Sequence, residues 1–514
     1  MRTRINQEQA LLNSWLWRPN LIVFVSNFCI MVLELVAGRI IAPYVGVSLY
    51  TWTSVIGIVL AGISLGNYLG GRLADRAASL RNLGFIFLSG GSTSLFILAV
   101  GPVSAFVPST WPIIAQILVL IIILFFIPST ILGMTSPMVA KLAVTDLEKT
   151  GSIVGNIYAF GTAGSIAGTF ATGFVLISSF GTYNIVWGVA VIIISLGLVF
   201  TFSGRLWVAA VFIPMALGGY VYSNTFPALT SICDLETNYF CIRIAPEVEE
   251  DETVVQKLIL DRLVHSYNDI EDPLRLTYGY EKQYAEMTAY LDDLNGSQAI
   301  NALFIGGGGY TFPRYMRVQF PDSEVTVIEI DPYVTAVAHE LLGVSRDLGI
   351  RSINEDARQY LIGDPDQQYD YIVGDAFNDF SVPYHLTTDE FNQLIRKWLK
   401  PNGIYMVNLV DGREARFVRS YVATLQQSFE HVYLVPTVNF WRESPRTTFV
   451  VTASNQPIDL RKLASYDLFP EAAIFENNLL IDSELEAFLA EGDPQILTDQ
   501  FAPVEQLLAP TFRE

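Results

Sequence analysis

Hydrophobic and polar positions follow two rhythms along this 514-residue chain, and the change falls near residue 223. Before it, seven apolar stretches run at about 21–41, 51–71, 83–103, 113–132, 153–178, 183–202 and 206–223. Most reach the ~20 residues that a membrane-spanning helix needs. The first is no cleaved signal peptide: it is long, carries Glu34 and Arg39, and passes at once into further spans. The fifth holds GTAGSIAGTFATG at 161–173, a run of small residues that suits close helix packing. After residue 223 the rhythm shortens. Residues 237–246 and 254–267 alternate or run apolar with β-forming residues on either side of an acidic stretch at 247–252. They predict an antiparallel β unit. From about residue 284, helical and strand patterns alternate. Helix 285–294 leads to strand 302–305, followed by strands at 325–328, 350–353 and 371–373. Helix 389–399 leads to strand 403–408, and helix 415–428 to strands 432–434 and 447–452. Strands separated by helices predict a mostly parallel, doubly wound sheet.

Charge divides at the same place. Residues 1–223 hold ten Lys/Arg and five Asp/Glu, whereas the remainder holds 21 and 46. An acidic second half disfavours nucleic acid and suits cationic small molecules, with plain solubility as the simpler reading. Between the spans, basic residues alternate from side to side. Arg2, Arg4 and Arg18 precede the first span, Arg72, Arg76 and Arg81 follow the second, Lys141 and Lys149 the fourth, and Arg205 the sixth. The positive-inside rule puts the N-terminus in the cytoplasm of a multi-pass cell-membrane protein. Seven true spans would leave the second half outside, whereas a cytoplasmic cofactor requires it inside. One segment is then re-entrant or interfacial, and 206–223, short and carrying Pro214 and Gly218-Gly219, is the weakest span. We expect a cytoplasmic second half. Glu34 and Arg39 mark either a polar path or a structural pair with Arg39 snorkelling to the headgroups. GNYLGGRLADR at 66–76 resembles the loop between the second and third helices of major facilitator transporters, where an Asp-Arg pair caps helix ends. Cys233 and Cys241 could pair only in an oxidising compartment. Three cysteines without CxxC spacing or clustered histidines argue against structural zinc.

The richest chemistry lies at 302–332, ALFIGGGGYTFPRYMRVQFPDSEVTVIEIDP. An apolar strand runs into four glycines and a helix, and a second strand ends on Glu329. Glycines let the backbone approach a ligand, and an acid at the next strand end takes a ribose diol. Gly306, Gly307, Gly308 and Gly309, with Glu329, Asp356 and Asp375, all fall just past strand ends, where doubly wound sheets bind ligands. The order GGGGYTFP lacks the third glycine of a dinucleotide fingerprint, and no GKS or GKT follows it. A methionine-derived sulfonium nucleoside fits better: the loop passes its tail, Glu329 takes the ribose, and Asp356 accepts from the adenine amino group.

From about 237 to 508 the chain resembles the spermidine synthase family, the polyamine aminopropyltransferases, and most of all its membrane-fused members. The resemblance rests on LILDRLVHSY, the glycine loop, VIEIDP, EDARQYL, YDYIVGDAFNDFSVPYHLTTDEF at 369–391 and ILTDQFAPVEQLL at 496–508. It implies a multi-span α-helical membrane domain (1–223), a small N-terminal β-hairpin domain (224–284) and an α/β Rossmann-like methyltransferase-type domain (285–514). It implies decarboxylated S-adenosylmethionine as donor, an amine such as putrescine as acceptor and methylthioadenosine as product. The chemistry calls for no metal, because the sulfonium charge is lost in the transition state. Carried over, the glycine run and Glu329 hold the donor, Asp356 with Ala357 holds the adenine, and Asp375 is the first acid of the catalytic loop. A protonated amine is no nucleophile, so a carboxylate beside it must take or share its proton. His265, Tyr284, Asn378 and Asp379 are candidate substrate contacts. For His265 and His385 structural roles are the simpler expectation, a polar strand end and a loop hydrogen bond. Tyr278, Tyr280 and Tyr284 either wall an amine pocket or pack the core. Trp441 and Arg442 are expected to cover the site. A homo-oligomer, a dimer, is expected on the lipid bilayer.

The chain departs from the family pattern at several points. Gly309 stands where the family's GGGDGG loop keeps the acid that holds the donor's amine. Asn378 takes the place of the second catalytic-loop acid, with Asp379 next to it. Phe240 replaces a glutamine and Ala285 a histidine. Without an acid at 309, discrimination against intact S-adenosylmethionine weakens, and methyl transfer to an amine competes as a reading. A third reading is a transporter or sensor that binds a polyamine or nucleoside without turnover.

Overall fold

The structure, a computed structural model, describes residues 19–144, 147–202, 206–226, 229–296, 298–376, 382–466, 468–469 and 478–512. The chain forms two compact units, Met1–Asn238 and Tyr239–Glu514.

Among the described residues of the first unit, six helices are long and apolar enough to cross a membrane: α1 (Pro19–Val45), α2 (Leu49–Ala77), α3 (Leu80–Ala105), α4 (Ile113–Ala143), α5 (Leu147–Ser179) and α6 (Thr182–Thr201). This is the composition of a multi-pass membrane protein. A further helix, α7 (Leu206–Ser223), has Pro214 in its interior. Polar residues start the spans. Ser48 caps α2 by accepting from the Thr51 amide at 3.2 Å, and Ser79 caps α3 by accepting from Asn82 at 3.1 Å. Because lipid gives helices no hydrophobic reason to associate, close packing through small residues holds the bundle. A Cβ at Gly70 of α2 would lie 2.6 Å from the Met134 Cα of α4. One at Gly168 of α5 would lie 2.6 Å from the Phe28 carbonyl of α1, so the small-residue run at 161–173 is what seats α5 on α1. π-helical turns interrupt α4 at Ile122–Phe126 and α5 at Thr172–Leu176. Arg39 donates to the carbonyls of Thr237 at 2.5 Å and Asn238 at 3.4 Å. Asp75, from the transporter-like loop, pairs with Lys141 at 3.0 Å.

The second unit opens with three antiparallel strands, β1 (Cys241–Val248), β2 (Val254–Leu260) and β3 (Leu263–Asn268). The β-forming run at 254–267 is broken at Asp261, whose φ of 54° turns the chain back on itself. The helix expected from residue 285 starts earlier, as α8 (Gly279–Leu294), because Glu281 reaches back to accept from the Tyr278 amide at 3.3 Å. Then follow β4 (Asn301–Ile305), α9 (Thr311–Gln319), β5 (Glu324–Ile328), α10 (Pro332–Leu341), β6 (Arg351–Ile353), α11 (Ala357–Ile362) and β7 (Tyr369–Gly374). After these come α12 (Asp389–Trp398), β8 (Leu399–Asp411), α13 (Arg416–Ser428), β9 (His431–Pro436) and β10 (Thr447–Ser454). The seven-stranded sheet runs β9-β10-β8-β7-β4-β5-β6. Pairs within β8-β7-β4-β5-β6 are parallel, and β10 is antiparallel to both its neighbours. The expected doubly wound sheet is therefore present, with strand order reversing between β4 and β7. Helices cover the sheet, so its strands read as continuous apolar runs; every residue of β7 is buried.

Candidate active site

The carboxyl ends of β4, β5, β6 and β7 meet at the switch point. There a cleft of about 700 Å³ opens, lined among others by Gly306, Gly308, Glu329, Asp356, Ala357 and Asp375. The glycines are required by close approach. Gly306 has φ 94°, and a Cβ on it would overlap the Asp375 carbonyl and stand 2.8 Å from its carbon. The two strand ends can touch only because residue 306 has no side chain. Gly308 has φ 47°, and a Cβ there would meet nothing within 4 Å, so its open face gives onto the cleft. Tyr310, in the left-handed region at φ 56°, closes the loop by donating from its amide to the Gly307 carbonyl at 2.8 Å.

Gly309 faces away from this opening. Its carbonyl accepts from Asn268 Nδ2 at 2.8 Å, and a Cβ on it would overlap Ser266 Oγ and Asn268 Oδ1 and stand 2.6 Å from Ser266 Cβ. The space an acidic side chain would need is thus filled by β3.

Glu329 is 6% exposed. Its Oε2 accepts from the Gly307 amide at 2.8 Å and its Oε1 from Asp331 at 2.9 Å. Burial raises its pKa, and these amide donors oppose the rise. Asp356 caps α11 through Oδ1, which accepts from the Gln359 amide at 3.0 Å, and turns Oδ2 to His385 Nε2 at 3.2 Å. His385 thus makes a loop hydrogen bond and also lines the cleft. Its carbonyl accepts from Arg358 at 2.7 Å, and Arg358 is clamped in turn by both oxygens of Asp499 at 2.7 and 2.5 Å. The ILTDQF segment at 496–501 therefore braces the Asp356–His385 side of the cleft.

Asp375 follows β7. Its Oδ1 accepts from Asn408 Nδ2 of β8 at 2.9 Å, and the Tyr280 hydroxyl of α8 also bonds to it. Burial pushes its pKa up to about 6, with these two donors pulling it down. Glu281, 3% exposed beside it, is pushed up to about 8 by burial first and the Asp375 charge second. Tyr280, Asn408 and Glu281 carry no motif signal. Only folding brings α8 and β8 to the end of β7, although the short YGYEKQY segment could have drawn attention as polar residues on an otherwise buried helix.

The tyrosines form one aromatic wall. Tyr278 and Tyr280 stack at 5.2 Å, Tyr280 meets Tyr284 edge-on at 5.5 Å, and Tyr284 meets Phe312 at 5.4 Å. Tyr284 is 1% exposed with its hydroxyl unpaired among the described residues. It packs behind the cleft and does not line it. His265, on β3, lines the cleft together with Phe240 and Leu260. Burial lowers its pKa to about 4, so its ring is neutral, and its Nε2 has no hydrogen-bond partner among the described residues. Asn378 and Asp379 lie outside the described residues. Trp441 packs on Phe449 and Phe488, and Arg442 stacks on Trp441 and pairs with Glu491 at 2.7 Å. Neither borders the cleft, contrary to the expectation that they cover it.

No family model matches the chain. It is 28% identical over 194 residues to a probable polyamine aminopropyl transferase of Bifidobacterium longum, spanning 37% of this chain and 42% of the relative. It is 29% identical over 212 residues to a polyamine aminopropyltransferase of Vibrio vulnificus, 40% of this chain and 69% of that one. It is 28% identical over 144 residues to an eEF1A lysine and N-terminal methyltransferase of Mus musculus, 26% of this chain and 20% of that protein. The chain thus spans less than half the length of the Bifidobacterium relative. Helices long enough to cross a membrane precede, along the chain, the region similar to these aminopropyltransferases, so the chain is a membrane-fused, aminopropyltransferase-like protein.

Proposed function

We propose that the chain is a membrane-bound transferase that moves the aminopropyl group of decarboxylated S-adenosylmethionine to an aliphatic amine such as putrescine. The observation that carries this reading is Asp375: a carboxyl with pKa about 6, held by Asn408 and Tyr280, in a cleft shared with Glu329 and Asp356. At neutral pH it is ionised, attracts a cationic amine and accepts its proton. The amine nitrogen forms a bond to the methylene beside sulfur. The carbon–sulfur bond breaks, its electron pair neutralises the sulfonium, the product leaves as a secondary ammonium, and Asp375 returns its proton to solvent. Glu329 holds the ribose diol, and Asp356, fixed by its cap and by His385, accepts from the adenine amino group. Gly306 and Gly308 let the backbone pass beneath the donor. The Tyr278–Tyr280–Tyr284 wall supports the acceptor side by keeping Tyr280 on Asp375.

One observation favours a second reading, methyl transfer from intact S-adenosylmethionine. Residue 309 has no acid and no room for one, so nothing there repels the donor's carboxylate. The two readings are separated by incubating the purified full chain with putrescine and each donor. Methylthioadenosine release supports the first, S-adenosylhomocysteine release the second, and tight binding without either product refutes both. Because a cytoplasmic donor requires a cytoplasmic active site, we place the second unit on the cytoplasmic side, with six spans returning the chain to the side of its N-terminus. Protease should cleave it in inverted vesicles and spare it in right-side-out ones; the reverse pattern overturns this placement.

A further inference from the structure

Two spans of the helical unit are at odds with their surroundings. α2 and α5 are the least apolar of the six candidate spans, and they are also the least buried. Only 28% of the apolar stretch of α2 and 22% of that of α5 is covered, against 44% or more in the other four. Facing lipid, the order should be reversed, because hydrocarbon offers polar groups no partner. A cleft with about 670 Å³ of space open to water runs between the same two spans, with Asn67 of α2 and Tyr158 and Thr162 of α5 in its lining. Tyr158 is 71% exposed although it lines the cleft, so the cleft is open along α5.

What the two spans expose is small or polar. On α2, Gly57, Ala61, Ser64 and Asn67 are spaced four, three and three residues apart, share one face and are all exposed. On α5, Gly155, Ala159 and Ala163 recur every fourth residue, with Asn156 and Thr162 beside them, and all five are exposed. Arg72 and Lys149 belong to basic loops on one side of the bundle. At 1.5 Å per residue, Asn67 lies ~8 Å further in, Asn156 ~10 Å, Ser64 ~12 Å and Thr162 ~20 Å. The Asn67 and Asn156 amides make no side-chain hydrogen bond among the described residues, a costly state at this depth. The opposite faces of the same spans are filled within one copy. A Cβ at Gly66 or Gly70 would strike α4, and one at Gly164 or Gly168 would strike α1, whereas one at Gly57 or Gly155 would meet nothing within 4 Å.

We propose that the α2–α5 face binds the same face of a second copy of this chain, and that the pair closes the cleft into a polar cavity lined by both copies. A two-fold axis along the membrane normal sets α2 of each copy against α5 of the other. The two helices then run in opposite directions, and their small residues fall into register. Counted inward from Arg72 and Lys149, Asn67 is fifth and Gly155 sixth, Ala61 eleventh and Ala159 tenth, Gly57 fifteenth and Ala163 fourteenth. Small residues let helices approach closely in a membrane, and polar side chains such as Asn67 and Asn156 gain partners across the contact. Lipid chains supply no hydrogen bond at this depth. The match lies between two stretches of this same chain, which commits the face to a second copy.

Oxidative crosslinking tests this with Ala61→Cys and Ala159→Cys carried on two differently tagged full-length copies in one membrane. The mixed pair should form a disulfide-linked dimer above the background of the chain's own three cysteines. Ile192→Cys, 46% exposed on α6, should form none. Gly155→Leu and Gly57→Leu add a side chain where a Cβ meets nothing within one copy, so each should keep the helix content and weaken association about tenfold, read as a smaller crosslinked fraction. Subunits are counted in the same membranes by stepwise photobleaching. A single chain per particle, a dimer without the Ala61–Ala159 crosslink and so held elsewhere, crosslinking as strong at Ile192→Cys, or undiminished crosslinking in both leucine variants would each overturn the proposal.

Discussion

Gly309→Ala tests whether the missing acid in the glycine loop is imposed by the structure. The added methyl would overlap Ser266 Oγ and Asn268 Oδ1 and stand 2.6 Å from Ser266 Cβ. Overpacking of this kind costs about 1–3 kcal/mol. Moving Asn268 aside also strains its 2.8 Å bond to the Gly309 carbonyl, a buried contact worth about 1 kcal/mol. The expected loss is about 2–4 kcal/mol. Hydrogen exchange isolates the affected region from the membrane helices: amides of β3 and β4 that open with the whole unit should exchange roughly 30- to 700-fold faster. Ser266→Gly removes two of the three close atoms, so the double variant should recover roughly half the loss, a coupling of about 1–2 kcal/mol. Gly309→Asp, which restores the acid at the family's position, should unfold the loop and not sharpen donor choice. Exchange rates in Gly309→Ala within about threefold of wild type, a change too small for overpacking, or additive effects of the two substitutions, would refute the reasoning.

Three other outcomes follow from the same geometry. Asp375→Asn should lower turnover by about 10²–10⁴ and leave donor binding intact, while wild-type kcat/KM rises with pH through about 6 as Asp375 ionises; Asn408→Ala removes a donor to the charged form and should move that limb to higher pH. Glu281 is raised from 4.5 to about 8 in the folded state, so the native protein binds the extra proton; its contribution to stability is present at low pH and is lost as pH climbs through about 8, and Glu281→Gln should flatten a denaturation series from pH 5 to pH 9. Asp499→Asn weakens the clamp on Arg358 and should cost about 1–3 kcal/mol, raising the donor KM through the His385 loop with little change in kcat.

Much of this site is readable from sequence because strand ends in a doubly wound sheet are marked twice, by an apolar run and by the residue that stops it. Ile305-Gly306, Ile328-Glu329 and Gly374-Asp375 all carry that signature, and all but Gly374 line the cleft. What is not readable depends on residues far apart in the chain. Asn408 and Tyr280 converge on Asp375 only through the order β8-β7-β4 and the path of α8. The crowding of Gly309 comes from Ser266 and Asn268 on a separate sheet. The start of α8 was hidden for a local reason: Tyr278–Gln283 lacks apolar periodicity, and a side chain reaching back to the Tyr278 amide sets the boundary.

The most direct test of the account is the mass of the amine product when the full chain acts on putrescine with both donors present. An increase of one aminopropyl unit, lost in Asp375→Asn, is expected. An increase of one methyl group, or an unchanged amine in a preparation shown to bind donor, would contradict it.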